Sequence, residues 1–287
     1  MDGSTRLETP GKLNLFLEIK GIRPDSYHEI ETLFYPVRRV NDTITIIPED
    51  APGIRISCDA QGVPEDESNL CWKAADRYCR SAGIVPSFSI TLKKGIPVAA
   101  GMGGGSSDAA AVLRLLQKHF HALDDSTLLE IAVKTGADVP FFLNPVPSAG
   151  RGIGEILTPL DGIPEQLPIL IAAPLFPISA PWAYRHRNRP AASADTRALE
   201  PLTDALRKAD FPRAASLLRN DLEYAVLEKF PLLEILKRTF STLRCRVLVS
   251  GSGPTLFLFF ESFEARENAC EFCASVGETY ALQLFQT

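Results

Sequence analysis

Hydrophobic and polar residues change their spacing several times along the first half of the chain. Alternation over residues 13–20 predicts a half-buried strand, and the polar run 23–26 predicts the turn that ends it. The pattern from about residue 69 to 81 predicts a helix, which Gly83 stops. This half therefore alternates strands with helices. Its other predicted elements are strands at 43–47, 54–57 and 88–92 and helices at about 107–120 and 127–134.

The pattern changes after residue 143. Proline and glycine crowd into residues 144–164, and we place a domain boundary near residue 155, which gives domains 1–155 and 156–287. The second domain is predicted to contain a strand at 169–173, a helical block at about 199–240, strands at 246–250 and 256–260, a helix at 263–276 and a strand at 280–285. That closing order suits a small antiparallel sheet backed by helices.

Composition restricts the class of protein and of partner. The 287 residues are 45% hydrophobic and 23% charged, as in soluble globular proteins. A net charge of −5 argues against nucleic acid or an anionic membrane as partner, so any anion must be held locally. The N-terminal residues have no apolar signal core, and we expect the protein to stay in the cytoplasm. The six cysteines and four histidines show no disulfide framework and no metal-ligand spacing, so we assign no side chain as a metal ligand.

Residues 97–107, Pro-Val-Ala-Ala-Gly-Met-Gly-Gly-Gly-Ser-Ser, form the most informative segment. They connect a predicted strand to a predicted helix that continues with Asp108. Three consecutive glycines allow positive φ and close backbone approach, and the first turn of a helix has unpaired N–H groups. This combination predicts a cradle for a polyphosphate, and a tight turn without a ligand is the alternative. The glycine spacing differs from the Walker loop, the dinucleotide fingerprint and the protein-kinase loop.

Three other motifs accompany this glycine loop. They are Pro-Gly-Lys-Leu-Asn-Leu-Phe-Leu at 10–17 followed by Gly-Ile-Arg-Pro-Asp-Ser-Tyr-His-Glu at 21–29, Gly-Ala-Asp-Val-Pro-Phe-Phe at 136–142, and Ser-Gly-Ser-Gly-Pro-Thr at 250–255. In order and spacing the set resembles that of the GHMP kinases, from about residue 10 to the end of the chain. The resemblance implies an α+β GHMP kinase fold, with an N-terminal α/β domain that carries a left-handed-crossover-type nucleotide loop and a ferredoxin-like C-terminal domain. It also implies an ATP-dependent phosphotransferase for an alcohol, with ATP and Mg²⁺ as cofactors.

By the same resemblance, the nucleotide is held by the glycine loop. The implied nucleotide-binding residues are Pro97, Val98, Ala99, Ala100, Gly101, Met102, Gly103, Gly104, Gly105, Ser106 and Ser107. Ala99 and Ala100 stand where many members carry glycine, which bears on the flexibility of the loop and not on its function. The hydroxyls of Ser106 and Ser107 can contact phosphate or magnesium, and ordinary N-capping of the helix is the alternative.

Lys12 and Asp138 are the implied catalytic pair. Pro140 is expected to push Val139 out of helical geometry, so that the Asp138 carboxylate stands at the end of the preceding helix. Alone, Asp138 would be typical of a solvated turn and Lys12 of a solvent-facing strand position. The resemblance instead implies that Asp138 is the general base. It implies that Lys12 lies beside Asp138, where it lowers the pKa of that carboxylate and stabilises charge on the transferred phosphoryl group.

The segment at 10–17 followed by the one at 21–29, which contains Tyr27 and His28, resembles one branch of the family, in which the substrate is a small alcohol carrying cytidine diphosphate. The resemblance implies that Tyr27 and an aromatic ring of segment 177–184 clasp the cytosine, that His28 reads the edge of the base, and that Asn14 also contacts the substrate. Tyr184 fits the spacing best, and Trp182 is the competitor. Packing at a domain interface is an alternative role for both rings.

Two other functions are left open by the sequence. One is a GHMP kinase for another small alcohol such as homoserine or mevalonate, although Tyr27 and His28 have no purpose in a site without a nucleobase. The other is an inactive sensor of nucleotide and metabolite, against which the intact Lys12 and Asp138 argue. The partners expected are small molecules, and the oligomeric state is open between a monomer and a weak dimer.

Overall fold

The computed structural model describes residues 3–187 and 198–287. Internal contacts divide the chain into two compact units, each assembled from three segments. The first unit comprises Met1–Lys12, Pro36–Val98 and Gly103–Pro145, and the second comprises Leu13–Tyr35, Ala99–Met102 and Val146–Thr287. The linear boundary near residue 155 stays a prediction.

The described ranges contain the following elements. The strands are β1 (Thr5–Ile22), β2 (His28–Pro48), β3 (Gly53–Cys58), β4 (Ser87–Lys93), β5 (Ser148–Arg151), β6 (Ile156–Pro159), β7 (Ile169–Pro174), β8 (Arg219–Asn220), β9 (Cys245–Val249), β10 (Leu256–Phe260) and β11 (Leu282–Gln286). The helices are α1 (Leu70–Ala82), α2 (Gly104–Phe120), α3 (Asp125–Thr135), α4 (Val139–Leu143), α5 (Ala180–Arg185), α6 (Leu199–Arg207), α7 (Phe211–Leu217), α8 (Glu223–Lys229), α9 (Pro231–Phe240) and α10 (Phe263–Tyr280).

A parallel crossover forms the sheet of the first unit. Strand β3 pairs in parallel with β4, and α1 connects them, while the last residues of β2 pair with β4 in the antiparallel sense. Helix α1 has the predicted ends, because the side chain of Asn69 accepts a hydrogen bond from the N–H of Cys71 and Gly83 closes the helix with φ of 66°. Helix α2 packs against α1 and α4 through an alanine-rich, fully buried face.

The expectation that Pro140 ends helical geometry is wrong. Val139–Leu143 form the short helix α4, with Pro140 in its first turn and Asp138 as the residue before it. Proline is favoured there, because the first N–H groups of a helix have no partner within the helix and the fixed φ of proline already suits it. Asp138 therefore stands at the start of α4.

The strand predicted at 13–20 is present, but the prediction that it is half-buried is wrong. Strand β1 is 18 residues long, and its residues 9–17 are all buried. Both faces are covered, so a strict alternation of inward and outward side chains does not apply. Asn14 can lie inside because its Nδ2 donates a hydrogen bond to Oγ1 of Thr32, 2.8 Å away.

The second unit contains a four-stranded antiparallel sheet with the order β11-β7-β10-β9. Numbered along the chain, these strands have the order 4-1-3-2, with helices between the first and second and between the third and fourth. This is the split βαβ arrangement of ferredoxin-like domains. The predicted ferredoxin-like domain is confirmed.

Strand β10 is apolar at every position because both of its faces are buried. Leu256, Leu258 and Phe260 point into a cluster with side chains of α8, α9 and α10. Phe257 and Phe259 occupy the other face, where the ring of Phe211 in α7 lies 6.2 Å from that of Phe259. All five positions are buried, so all five are apolar.

The sequence did not predict the short elements. Strand β8 is two residues long and lies inside the block expected to be helical, where it pairs in parallel with β1. Strands β5 and β6 form an antiparallel pair in the segment rich in proline and glycine. In residues 3–187 and 198–287, no helix is both long and apolar enough to cross a membrane.

Leu258→Ala should lower the free energy of unfolding by about 2–5 kcal/mol, because it deletes a fully buried side chain and leaves a cavity. Urea denaturation followed by circular dichroism measures the loss. Glu271→Ala, on the exposed side of α10, is the control and should change stability by no more than about 0.5 kcal/mol. Equal effects of the two variants would contradict this account of the core.

Candidate active site

The N-terminus of α2 lies in the first unit and has no side-chain cap. Gly103 precedes the helix with φ of 75° and ψ of 16°, and as a glycine it has no side chain that could cap the first N–H groups. The first N–H groups of a helix carry a partial positive charge and have no partner within the helix. At α2 they follow a glycine whose backbone can approach a ligand closely, so this end of the helix suits an anion.

Lys12 and Asp138 lie beside this helix end, as expected from the sequence. Nζ of Lys12 is 3.5 Å from Oδ2 of Asp138, with the lysine side chain 6% exposed and the aspartate side chain 32% exposed. A Cβ placed on Gly103 would come within 3.2 Å of Cε of Lys12 and 2.9 Å of the Phe142 ring. The first unit thus places an ammonium, a partly exposed carboxylate and an uncapped helix N-terminus together.

The two serines of the loop have different surroundings. Oγ of Ser107 is buried, donates a hydrogen bond to the carbonyl of Pro10 at 2.7 Å and shares another with Oγ1 of Thr9 at 2.6 Å. The N–H of Ser107 donates to the carbonyl of Gly103. Ser107 therefore fastens α2 to β1, whereas Ser106 is half-buried and its Oγ lies near Gly136. A phosphate contact for either serine stays a prediction.

A buried ionic cluster that the sequence did not reveal holds the two ends of the glycine loop. Nζ of Lys94 donates hydrogen bonds to Oδ2 of Asp42 and, at 2.5 Å, to Oδ2 of Asp108. Oδ1 of Asp42 accepts from the N–H groups of Gly95 and Ile96 at 2.7 and 2.8 Å. Asp42 thus fixes the start of the loop, and Asp108 is the fifth residue of α2, the helix that follows the loop.

The cluster contains two carboxylates for one ammonium. Burial, opposed by Lys94 and reinforced by the charge of Asp42, raises the pKa of Asp108 to about 8. In the described parts of the chain, Oδ1 of Asp108 has no hydrogen-bond partner. Burial by itself would lower the pKa of Lys94, but the two carboxylates outweigh it and raise that pKa. Asp108 is therefore the group of the cluster that holds a proton near neutral pH.

The middle of the glycine loop, residues 99–102, belongs to the second unit. The carbonyls of Ala99, Ala100 and Gly101 accept hydrogen bonds from the N–H of Ile178, the N–H of Thr255 and Oγ of Ser250. Ala99 has φ of 50°, in the left-handed region that an alanine rarely adopts. This conformation explains why glycine suits the position in related loops. Pro97 and Val98 come just before, in the first unit, and Val98 is exposed.

The predicted substrate residues all lie in the second unit. The rings of His28 and Tyr184 are 5.3 Å apart with a 37° tilt, and Tyr27 is 58% exposed at the adjoining turn. Asn14 is buried against Thr32. Trp182 instead packs on the rings of His186 and Phe230, at 4.8 and 5.6 Å. The structure therefore brings Tyr184, and not Trp182, to His28.

His28 is suited to recognising a neutral polar ligand. Burial, helped by the charge of Arg187, lowers the pKa of the His28 imidazole below its usual value. The ring is accordingly neutral at pH 7, with one nitrogen that donates and one that accepts a hydrogen bond. A nucleobase edge presents groups of both kinds.

Comparison with known proteins supplies the family. Two family models match, GHMP kinases N terminal domain over residues 69–144 and GHMP kinases C terminal over residues 202–279. The 4-diphosphocytidyl-2-C-methyl-D-erythritol kinase of Citrifermentans bemidjiense is 39% identical over 268 residues, which are 92% of each chain. The chain belongs to the GHMP kinase family. The 4-diphosphocytidyl-2-C-methyl-D-erythritol kinase of Geobacter metallireducens is another relative of this GHMP kinase, 36% identical and covering 93% of both chains.

Solved structures of GHMP kinases have the same fold as this chain. A crystal structure of 4-(cytidine 5'-diphospho)-2C-methyl-D-erythritol kinase superposes with a TM-score of 0.77 at 35% identity, covering 94% of this chain and 96% of that one. A homoserine kinase from Cytophaga hutchinsonii gives the same TM-score at 19% identity, which shows the fold alone. The predictions of a GHMP kinase fold and of an ATP-dependent kinase are confirmed.

The ionic cluster of this GHMP kinase gives a prediction about pH. Because the folded protein raises the pKa of Asp108 to about 8, it binds more protons than the unfolded chain between about pH 4 and pH 8, and its stability should fall as the pH rises through that window. Asp108→Asn should flatten this slope. Urea denaturation at a series of pH values measures it.

Asp124→Asn is the matched control, because the pKa of Asp124 is shifted in the opposite direction to that of Asp108 and its effect on stability should depend on pH in the opposite sense. The Asp124 carboxylate caps α3 by accepting a hydrogen bond from the N–H of Thr127. This bond is the largest of the effects that lower the pKa of Asp124. Asp124 therefore contributes stability above the pKa of the unfolded chain, and that contribution is lost as the pH falls. Replacing it should cost stability near neutral pH and less in acid. An unchanged slope in folded Asp108→Asn would show that Asp108 is ionised throughout.

Proposed function

We propose that the protein transfers the γ-phosphoryl group of ATP to the 2-hydroxyl of 4-diphosphocytidyl-2-C-methyl-D-erythritol, in the non-mevalonate route to isoprenoid precursors. The observation that carries the proposal is the Lys12–Asp138 ion pair beside the uncapped N-terminus of α2. The names of the relatives support the choice of substrate.

The nucleotide end of the site follows from the helix terminus. The N–H groups of the first turn of α2 would donate to phosphate oxygens, and Lys12 would add a full positive charge next to them. Gly103 leaves room there, since any side chain would meet Phe142 and Lys12. Ser107 would act indirectly, because both its hydroxyl and its N–H are used to hold α2 in place.

Asp138 would act on the acceptor hydroxyl. Its side chain is 32% exposed, so an alcohol can reach it, and the ammonium of Lys12 lies 3.5 Å from its Oδ2. A carboxylate so placed accepts or orients the proton of an attacking hydroxyl, which is the role of the positioned base in phosphoryl transfer. Lys12, almost fully buried, would keep its charge aimed at this point and not at solvent.

Magnesium fits this site only through the nucleotide. Among the described residues, no group of three or more histidine, cysteine, aspartate or glutamate side chains could hold a metal ion. Mg²⁺ usually binds proteins through one or two carboxylates, with phosphate and water as the other ligands. When bound, the ion would neutralise charge on the phosphates. Asp138 and Ser106 are the residues of this chain that would face it.

The second unit provides the group that recognises the cytidine. The neutral imidazole of His28 lies 5.3 Å from the tilted ring of Tyr184 and can both donate and accept a hydrogen bond, as the edge of cytosine requires. The exposed ring of Tyr27 would close on the base from the neighbouring turn. Homoserine and mevalonate have no nucleobase that could lie between these rings. A sensor without catalytic activity would not need the Lys12–Asp138 pair.

Asp138→Asn should lower turnover by a factor of about 10² to 10⁴, the usual cost of losing a positioned base. Steady-state assays with ATP and the cytidine substrate measure it, and calorimetric titration with ADP should give nearly unchanged affinity. Asp125→Asn, an exposed aspartate in α3, is the control and should behave as wild type. Near wild-type turnover of Asp138→Asn would remove Asp138 from the mechanism.

Tyr184→Ala should raise the KM for the cytidine substrate by about one to two orders of magnitude, since stacking on a base contributes about 1–3 kcal/mol. The KM for ATP should stay almost constant. Trp182→Ala is the matched control, because it removes a ring that packs on Phe230 and not on His28. If Trp182→Ala alone raised the KM for the cytidine substrate, Trp182 would be the platform for the base.

A further inference from the structure

Asn220, at the end of β8, has a side chain whose hydrogen bonds all go to backbone groups. Its Nδ2 donates to the carbonyls of Val249 and Gly251, both at 2.8 Å, and its Oδ1 accepts from the N–H of Leu222 at 3.0 Å. The amide is buried and uses both of its N–H hydrogens. Reversing it would set an oxygen against two carbonyls, so its orientation is fixed.

Strand β8 gives this amide a rigid base. It pairs in parallel with β1, Leu17 opposite Asn220, and the N–H of Asp221 donates to the carbonyl of Leu17 at 3.0 Å. The buried guanidinium of Arg219 forms ion pairs with Glu18 and Asp221, each at 2.8 Å. A backbone hydrogen bond and two ion pairs thereby add to the pairing of this two-residue strand.

The two carbonyls that Asn220 binds belong to the Ser-Gly-Ser-Gly-Pro-Thr segment, residues 250–255, and the residue before it. Within this segment the N–H of Ser250 donates to the carbonyl of Thr255, and the N–H of Gly253 to the carbonyl of Ser250, both at 2.9 Å. Asn220 therefore sets the position of a turn whose own bonds keep its shape.

The 250–255 turn also holds the middle of the glycine loop. Oγ of Ser250 donates to the carbonyl of Gly101 and the N–H of Thr255 to that of Ala100, both at 3.2 Å. The approach is close, since a Cβ on Gly101 would lie 2.4 Å from the carbonyl oxygen of Ser250. Gly101 also has φ of 78°, so its place depends on the turn beneath it.

We propose that Asn220 is a positioning residue for nucleotide binding, which acts through the 250–255 turn on residues 99–102 of the glycine loop. The inference rests on the proposed use of that loop for ATP. It assigns Asn220 no contact with either substrate. Its effect should therefore be seen in nucleotide affinity and not in affinity for the cytidine moiety.

Asn220→Asp is the sharpest test, because it keeps the size of the side chain and the acceptor for Leu222 but turns both donors into acceptors. It should weaken ADP binding about tenfold or more, the expected effect of setting an acceptor against buried carbonyls, and raise the KM for ATP in parallel. Calorimetric titration gives the affinity for ADP without turnover. Affinity for CDP, which carries the cytidine moiety, should stay within about twofold of wild type.

Two further variants separate positioning from loss of stability. Thr287→Val removes a buried hydrogen bond to the carbonyl of Leu167 in the same unit, and it should lower the melting temperature without changing ADP affinity. Ser250→Ala removes only the bond to Gly101 and should weaken ADP binding less than Asn220→Asp does. The double variant should fall short of the sum of the two effects, since both act on one path.

Either of two results would overturn the inference: wild-type ADP affinity in Asn220→Asp and Ser250→Ala, or equal weakening of ADP and CDP. If Asn220→Asp did not fold, Asn220→Ala, which removes the two donors without adding an acceptor, would be titrated with ADP and CDP in its place. Failure of the wild-type protein to phosphorylate the cytidine substrate would refute the proposed function and not this inference, because ADP affinity is measured separately.

Discussion

The buried ammonium of Lys94, between the acidic side chains of Asp42 and Asp108, is the interaction on which the glycine loop of this kinase depends. A run of glycines loses more conformational freedom on ordering than other residues do, so such a loop needs fixed ends. Asp42 holds the start of the loop through two backbone N–H groups, Asp108 lies in the helix that follows, and Lys94 joins them. Because the cluster is excluded from water, removing Lys94 would leave two buried acidic groups without their cation.

Glycine and polar side chains have complementary tasks around this loop. The glycines allow backbone approach at Gly101 and Gly103, where the structure requires positive φ and leaves no space for a side chain. The buried polar groups, Ser107 in the first unit and Asn220 in the second, direct their hydrogen bonds to backbone carbonyls. These two side chains thus hold backbone segments next to the glycine loop in place.

Sequence reasoning predicted the elements whose signals are local. Helix α1 has a capping asparagine and a terminal glycine, and β10 has an unbroken apolar run; both were found within a residue or two of the expected ends. The exposure predicted for β1 was wrong and β8 was missed, because burial of β1 on both faces and pairing of a two-residue strand depend on distant parts of the chain.

The candidate site, like the fold, was predictable only where the signal is local in the sequence. Glycine spacing revealed the loop by itself, whereas the roles of Lys12 and Asp138 came from the family resemblance, and no local signal separates a buried Lys94 or Asn220 from a surface one. Burial of a charged side chain is decided by the fold around it. Asp42 and Asp108 lie 66 residues apart, and only the folded chain shows that one lysine serves both.

Ala99 has a consequence for how the loop and the nucleotide meet. Left-handed backbone costs an alanine about 1–2 kcal/mol that a glycine would not lose, and this strain is present before any ligand arrives. The same methyl group restricts the backbone conformations that this part of the loop can adopt. Ala99 therefore makes this part of the loop stiffer than a glycine would, so a ligand that bound there would meet a backbone with few conformations left to lose.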